Sequence, residues 1–121
     1  MPLDQVRVDV AQIGREVYVV SMSGEGDLHA VPALERELRY ALDHGARKVL
    51  VDLAAAYFVD SAFLGLLLKY QKRIMAMRGV LVIVSDDPRI RKTFELTGLD
   101  RAFALEASLT EAVNRLVETP A

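Results

Sequence analysis

Cysteine and a surplus of basic residues are both lacking in this sequence of 121 residues. Without cysteine there is no disulfide bond and no thiolate chemistry, which fits a reducing compartment. Lys and Arg number 15 against 17 Asp and Glu, and the net charge is −2. Because a protein that neutralises nucleic-acid phosphates needs a basic excess, we expect no direct nucleic-acid partner.

Long apolar runs and targeting patterns are also missing. No apolar run reaches the ~18 residues of a membrane-spanning helix, and Met1–Gln5 lacks the basic and then apolar order of a signal peptide. We therefore expect a cytoplasmic protein without membrane insertion. With 52% hydrophobic and 26% charged residues and no visible linker or repeat, the sequence predicts a single ordered domain over residues 1–121.

Motifs for catalysis and metal binding are lacking as well. There is no Gly-rich phosphate-binding loop, and Ser61 lacks the Gly-x-Ser-x-Gly context of a nucleophile elbow. His29 and His44 have no spacing that suggests a metal site, which needs three or four donors. Asp86-Asp87-Pro88 is typical of a helix start rather than of a metal pair. We therefore predict that the protein is not an enzyme and has neither catalytic residues nor a metal site.

Apolar periodicity divides the chain into alternating strands and helices. It predicts strands over 6–13 and 17–22, and a turn at 14–16 makes this pair antiparallel. Further strands are predicted at 48–53, 80–84 and, at an edge, 102–105, with helices at 30–44, 61–78, 88–97 and 109–118. Residues 54–58 are expected to be a connection. The order predicts an α/β fold: a mixed sheet of four to five strands, with an N-terminal antiparallel hairpin and a largely parallel remainder, and about four helices.

The stretch Val59–Gly65 is central to this pattern, because the longest amphipathic helix begins inside it. Asp60 and Ser61 are residue types that cap helices, since their side-chain oxygens accept hydrogen bonds from the first turn. A hydroxyl there also suits a phosphate, which would add about −1.5 to −2 charge where the helix dipole favours an anion. Asp27, which follows Gly24-Glu25-Gly26, is either a simple turn cap or lies near Ser61 at the same sheet edge.

The helix predicted at 61–78 has a wider apolar surface than one buried stripe requires. The apolar arc spans roughly 200°, against the ~100° of a one-sided helix. The core-facing residues are Leu64, Leu67, Leu68, Ile74 and Met75, and a flank beyond them consists of Phe63, Leu66, Tyr70 and Met77. Either a neighbouring helix covers the flank, or the flank is an exposed patch for a partner.

Three motifs occur in the order and spacing of a known family. Gly24–Asp27 stands where that family has Gly-Glu-Leu/Ile-Asp. Val51-Asp52-Leu53 precedes Phe58–Ser61, which stands where the family has an apolar pair followed by Asp-Ser-Ser/Thr-Gly-Leu-Gly, and Arg89–Leu99 is similar to a helix that ends in a Gly-Leu pair. Over almost its whole length, the sequence resembles the STAS-domain anti-sigma factor antagonists of bacteria.

This resemblance implies a regulatory binding module. In that family the unphosphorylated antagonist binds an anti-sigma factor, itself an ATP-dependent serine kinase, and so frees a sigma factor for transcription. The kinase phosphorylates the serine that corresponds to Ser61, the antagonist then dissociates, and a serine phosphatase resets it. Because ATP belongs to the kinase, no cofactor is expected here. We expect a monomer or weak homodimer.

The resemblance also implies a docking surface around Ser61. We predict these partner contacts: Asp27, Asp60, Ala62, Phe63 and Leu66. The sequence departs from the family pattern at three positions. Ala62 replaces the second Ser or Thr, Phe63 replaces a Gly, and Gly26 replaces the usual Leu or Ile.

Two alternatives remain. Related STAS domains without kinase partners serve in stress-signalling complexes or as cytoplasmic subunits of lipid and anion transporters. The chain is then a constitutive interaction or scaffold subunit in which Phe63 anchors a partner. An enzyme or small-ligand domain instead predicts a closed pocket near Asp27 and Asp60.

Overall fold

Strands and helices alternate along the chain as the periodicity predicts. The structure is a computed structural model and describes residues 7–14 and 17–118. Its strands are β1 (Arg7–Ile13), β2 (Val17–Gly26), β3 (Lys48–Asp52), β4 (Ala56–Val59), β5 (Val80–Val84) and β6 (Ala104–Glu106). Its helices are α1 (Val31–Asp43), α2 (Ser61–Ala76), α3 (Pro88–Leu96) and α4 (Leu109–Glu118), with a 3-10 turn at Leu99–Arg101.

The strands form one mixed sheet. The described strands lie in the order β1-β2-β3-β5-β6, and β4 pairs with β2. The pair β1-β2 is antiparallel, whereas every other pair is parallel. The predicted α/β fold with an N-terminal antiparallel hairpin is therefore confirmed. Gly14, which opens the predicted turn, has a φ of 62°, and Val6, Arg15 and Glu16 lie outside the described residues.

Strand β4 is an element that the sequence pattern does not predict. Residues 54–58 are expected to be a connection, and their sequence, Ala-Ala-Ala-Tyr-Phe, has no alternation of apolar and polar residues. In the structure, Tyr57 and Phe58 are both exposed. The strand forms because β2 continues beyond its predicted end at residue 22 to Gly26, and this extension pairs with β4. The register shifts between Gly24 and Glu25, as in a β-bulge. Residues 23–26, which follow the strand predicted at 17–22, are therefore also strand.

The sheet separates two apolar clusters. Neighbouring residues of β3 point to opposite faces, so Val49 and Val51 belong to the larger cluster and Leu50 to the smaller one. Helices α1, α2 and α3 cover the larger cluster, and α4 covers the smaller one with Ala112 and Leu116. Burial on both faces explains the unbroken apolar runs 49–51 in β3 and 80–84 in β5.

Helix α1 lies against the apolar flank of α2. Phe63 and Tyr70 have no exposed surface, and Leu66 is 7% exposed. The Tyr70 hydroxyl donates to the Glu35 carboxylate of α1 at 3.3 Å, and Lys69 Nζ donates to the same oxygen at 2.9 Å. The alternative of an exposed patch on this flank is therefore wrong, and coverage by a neighbouring helix is confirmed.

The largest difference in helix boundaries is at the end of α2. The helices predicted at 30–44, 88–97 and 109–118 are found to within one residue, but α2 ends at Ala76 rather than at residue 78. Arg78 has a φ of 62°, and a Cβ at Gly79 would collide with the Arg47 carbonyl oxygen. Met75, which was expected on the core-facing arc, is 61% exposed in the last turn.

Candidate functional site

Asp60 caps the N-terminus of α2. Its backbone is extended, with φ −111° and ψ −179°, and its carboxylate Oδ1 accepts a hydrogen bond from the Phe63 N–H at 2.9 Å. Its carbonyl oxygen accepts the first helical hydrogen bond, from the Leu64 N–H at 3.0 Å. Ser61 is therefore the first residue of the helix rather than its cap, and its side chain is exposed.

The other oxygen of the same carboxylate reaches a distant part of the chain. Asp60 Oδ2 accepts a hydrogen bond from the Leu28 N–H at 3.1 Å. The Asp60 N–H in turn donates to the Gly26 carbonyl oxygen at 2.8 Å. Asp60 thus joins the start of α2 to the segment between β2 and α1, on both sides of Asp27.

Asp27 combines the two roles that the sequence left open. Its carboxylate accepts hydrogen bonds from the N–H groups of His29 at 3.0 Å and Ala30 at 3.3 Å, so it caps the turn that precedes α1. Because Gly26 and Leu28 both bond to Asp60, Asp27 also lies beside the start of α2. The prediction that Asp27 and Ser61 share one sheet edge is confirmed.

Gly26 lies where β2 and β4 approach closely. It pairs with Val59 in the parallel ladder, and a Cβ at this position would lie 3.0 Å from the Phe58 carbonyl oxygen and 3.0 Å from Met22 Cε. These distances are shorter than ordinary van der Waals contacts. A side chain here would therefore require the Phe58 carbonyl or the Met22 methyl group to shift, close to the end of β4 that leads into Asp60.

The predicted contacts on α2 divide into surface and core. Ala62 is half-buried in the first turn beside Ser61. Phe63 is completely buried and Leu66 is 7% exposed, and both belong to the large core cluster. The prediction that these two side chains face a partner is wrong, because the arc of α2 that carries them packs into the core. Ser61 is exposed, and Asp27 and Asp60 are half-buried.

Three exposed apolar side chains near this site were not predicted as contacts. Leu28 is 65% exposed, Phe58 is 47% exposed and Tyr57 is 36% exposed. Leu28 adjoins the site through its hydrogen bond to Asp60, and Phe58 lies on the strand that ends there. The one feature of the sequence that could have indicated these contacts is the position of Tyr57 and Phe58 shortly before the Asp60-Ser61 pair.

Carboxylates follow each parallel strand of the central sheet at this edge. Besides Asp27 and Asp60, Asp52 ends β3 and Asp87 follows β5. Asp87 caps α3 by accepting a hydrogen bond from the Arg89 N–H at 2.8 Å, as its position before a proline predicts. Its side-chain hydrogen bond with the Arg89 guanidinium lowers the pKa of Asp87 to about 2. This carboxylate is therefore charged at neutral pH.

Metal-binding groups and pockets bear on whether the described residues around Asp27 and Asp60 have another function. The described residues contain no group of three or more His, Asp or Glu side chains placed to hold a metal ion. A groove of about 300 Å³ lies between β4 and α3, but it is open and neither Asp27 nor Asp60 lines it. In the part of the chain that the structure describes, no helix has the length and apolar character needed to cross a membrane.

Three relatives resemble this chain over most of its length. An anti-sigma F factor antagonist of Lysinibacillus sphaericus is 28% identical over 105 residues, which cover 86% of this chain and 89% of the relative. The crystal structure of an anti-sigma factor antagonist from Mycobacterium paratuberculosis has a TM-score of 0.86 and 29% identity, covering 97% of this chain and 98% of that one. The Bacillus cell fate determinant SpoIIAA in its phosphorylated form has a TM-score of 0.71 and 26% identity, covering 90% and 98%.

The family comparison agrees with the motifs. The STAS domain matches residues 7–112, a span that begins with β1 and ends within α4. It therefore contains the whole sheet, Asp27 and the Asp60-Ser61 pair. On this match, and with the mixed sheet and four helices described above, the chain belongs to the STAS domain family.

Proposed function

We propose that this protein is an anti-sigma factor antagonist switched by phosphorylation of Ser61. In its unphosphorylated form it binds an anti-sigma factor that has serine kinase activity, and the sigma factor is released for transcription. At the start of α2, Asp60 caps the helix and Ser61 stays exposed. The exposed Ser61 hydroxyl is the observation that carries the proposal. The names of the related proteins support the partner class.

The position of Ser61 favours a phosphate without requiring a change of fold. The first N–H groups of a helix have no intrahelical acceptor, and the helix dipole favours an anion there. Ser61 is also the one hydroxyl in the stretch Val59–Gly65, because Ala62 replaces the second hydroxyl of the family pattern. The related SpoIIAA has been solved in a phosphorylated form, so a similar fold carries this kind of modification.

Phosphorylation acts on the partner through charge. A phosphate adds about −1.5 to −2 charge at neutral pH, next to the carboxylates of Asp60 and Asp27. Both carboxylates already accept backbone hydrogen bonds that hold their segments in place. We expect a more negative surface potential around Ser61, which ends binding to the kinase. A serine phosphatase restores the binding form.

The scaffold alternative has weaker support. It relied on Phe63 as an exposed anchor, and Phe63 is buried. The exposed Leu28 and Phe58 suit protein docking under either function. Phosphate transfer to Ser61 is therefore the property that separates the two functions.

Phosphate incorporation tests the proposal. The protein is incubated with ATP and each anti-sigma kinase encoded in the same genome, and its intact mass is measured. We expect one phosphate on the wild type and none on Ser61→Ala. Ser108→Ala is the matched control, because Ser108 also stands at a helix start and its hydroxyl accepts the Glu111 N–H at 3.2 Å; it should gain phosphate normally. A phosphorylated Ser61→Ala variant, or a wild type that no kinase modifies, would contradict the proposal.

A further inference from the structure

The groove between β4 and α3 has an apolar surface beside the Ser61 site. Tyr57 and Phe58 form one side, Ile90 and Thr93 line the other, and the volume is about 300 Å³. Ile90 is 1% exposed and belongs to the core, so the groove reaches down to the packed interior. Phe58, by contrast, is 47% exposed. A second apolar side chain inserted here would cover the ring of Phe58 and contact the core at the same time.

The groove adjoins the proposed phosphorylation site along the chain, because Val59 lines the groove and Ser61 follows two residues later. Phe58 pairs with Glu25 in the β2-β4 ladder, and β4 ends at Val59, immediately before the Asp60 cap. No connecting segment intervenes between the strand and α2. A protein that covers Ser61 from the side of β4 therefore meets the groove as well.

The charged residues of the groove indicate which kind of protein segment fits it. Its two charged lining residues are Glu25 and Arg89. The Arg89 guanidinium already forms an ion pair with Asp87, with its Nη2 atom 2.8 Å from Asp87 Oδ2 and its Nε atom 3.1 Å from Oδ1. Glu25 therefore supplies the charge that remains for a partner. The complementary segment carries a large apolar side chain with a Lys or Arg beside it.

We propose that this groove, lined by Tyr57, Phe58, Ile90 and Thr93, is a second docking element for the anti-sigma factor. A large apolar side chain of the partner packs on Phe58 and Ile90, and a neighbouring cation faces Glu25. This inference rests on the proposed function, because it names the same partner. It differs in predicting a contact that phosphorylation of Ser61 does not modify directly.

Binding measurements on matched variants test the groove. The dissociation constant of the anti-sigma factor is measured by calorimetry for the wild type, Phe58→Ala, Glu25→Gln, Ser61→Asp and Val117→Ala. Val117 is 64% exposed on α4, which covers the opposite face of the sheet, so Val117→Ala is the control for losing an exposed apolar side chain. We expect Phe58→Ala to weaken binding about tenfold and Val117→Ala to leave it unchanged. Glu25→Gln should weaken binding severalfold and reduce its dependence on salt.

The outcomes separate this inference from the proposed function. If the wild type binds, Ser61→Asp does not, and both groove variants bind like the wild type, the groove is not a docking element and the proposed function stands. If the wild type binds no anti-sigma factor, the proposed function itself fails. If Phe58→Ala changes self-association in sedimentation experiments and leaves partner binding intact, the occupant is a second copy of this chain and the inference is overturned. Unchanged circular dichroism and unfolding midpoints confirm that each variant folds.

Discussion

Asp60 and Leu28 are joined by a hydrogen bond of 3.1 Å between a carboxylate oxygen and a backbone N–H, although 32 residues separate them in sequence. The other oxygen of the same carboxylate caps α2 through the Phe63 N–H. One side chain thus fixes the start of the helix that carries Ser61 and the segment that carries Asp27. The surface around Ser61 is therefore organised before any partner binds.

Replacement of Asp60 by Ala should destabilise the protein by about 1–2 kcal/mol, because both the cap and the Leu28 hydrogen bond are lost. Asp60→Asn should fall in between, since an amide oxygen can cap α2 but the amide nitrogen cannot accept the Leu28 N–H. Ser61→Ala should stay within about 0.5 kcal/mol of the wild type, because Ser61 is exposed and is not the cap. Urea unfolding measures all three. Equal stability of wild type and Asp60→Ala would contradict this role.

Phe63→Ala should cost about 3–5 kcal/mol of unfolding free energy, as expected for a fully buried aromatic side chain. Phe58→Ala should cost much less, since its ring is 47% exposed. Chemical denaturation of the two variants side by side measures the contrast. A small effect at Phe63 with a large loss of partner binding would restore the interpretation of Phe63 as a surface contact.

Gly26→Leu restores the family pattern but should destabilise this chain by about 1–3 kcal/mol, because the new side chain has to displace the Phe58 carbonyl or the Met22 methyl group. Gly65→Ala is the control: Gly65 is an exposed helical position where an added Cβ meets no atom within 4 Å. That substitution should stabilise the protein by about 0.5–1 kcal/mol. Thermal unfolding distinguishes the two, and a neutral Gly26→Leu would mean that β4 adapts without cost.

Asp87 should make stability depend on acid pH. Hydrogen bonding to Arg89 lowers its pKa in the folded state from 3.8 to about 2. A carboxylate with a lowered folded pKa contributes stability that is fully present above the unfolded value and is lost as the pH falls through the folded value. The window is therefore between about pH 3.8 and about pH 2.

Asp87→Asn isolates this charge effect, because Asn retains the cap on α3. The variant should be less stable than the wild type near neutral pH, and the difference should vanish at the acid end of the window. Urea unfolding as a function of pH measures it. A difference that does not depend on pH would assign the effect to packing rather than to the ion pair.

Local patterns in the sequence account for most of the fold and for part of the site. The parallel order and the helix starts at residues 61 and 88 follow from periodicity and cap chemistry, whereas a position of Asp27 near Ser61 was one of two alternatives. Strand β4 could not be predicted in this way, because it forms by pairing with an extension of β2 that the local sequence does not indicate. The burial of Phe63 and Leu66 was not predictable either, since a helical projection does not say that α1 lies against their flank. The Leu28–Asp60 hydrogen bond is a long-range contact that the local sequence around either residue does not predict.

The affinity of the anti-sigma factor for the two forms of this protein tests the central proposal most directly. The protein is phosphorylated at Ser61 by the kinase, separated from the unmodified form, and each form is titrated with the anti-sigma factor. The account predicts tight binding of the unphosphorylated form and a loss of at least tenfold on phosphorylation, roughly 1.4 kcal/mol or more. Equal affinity of the two forms would contradict it.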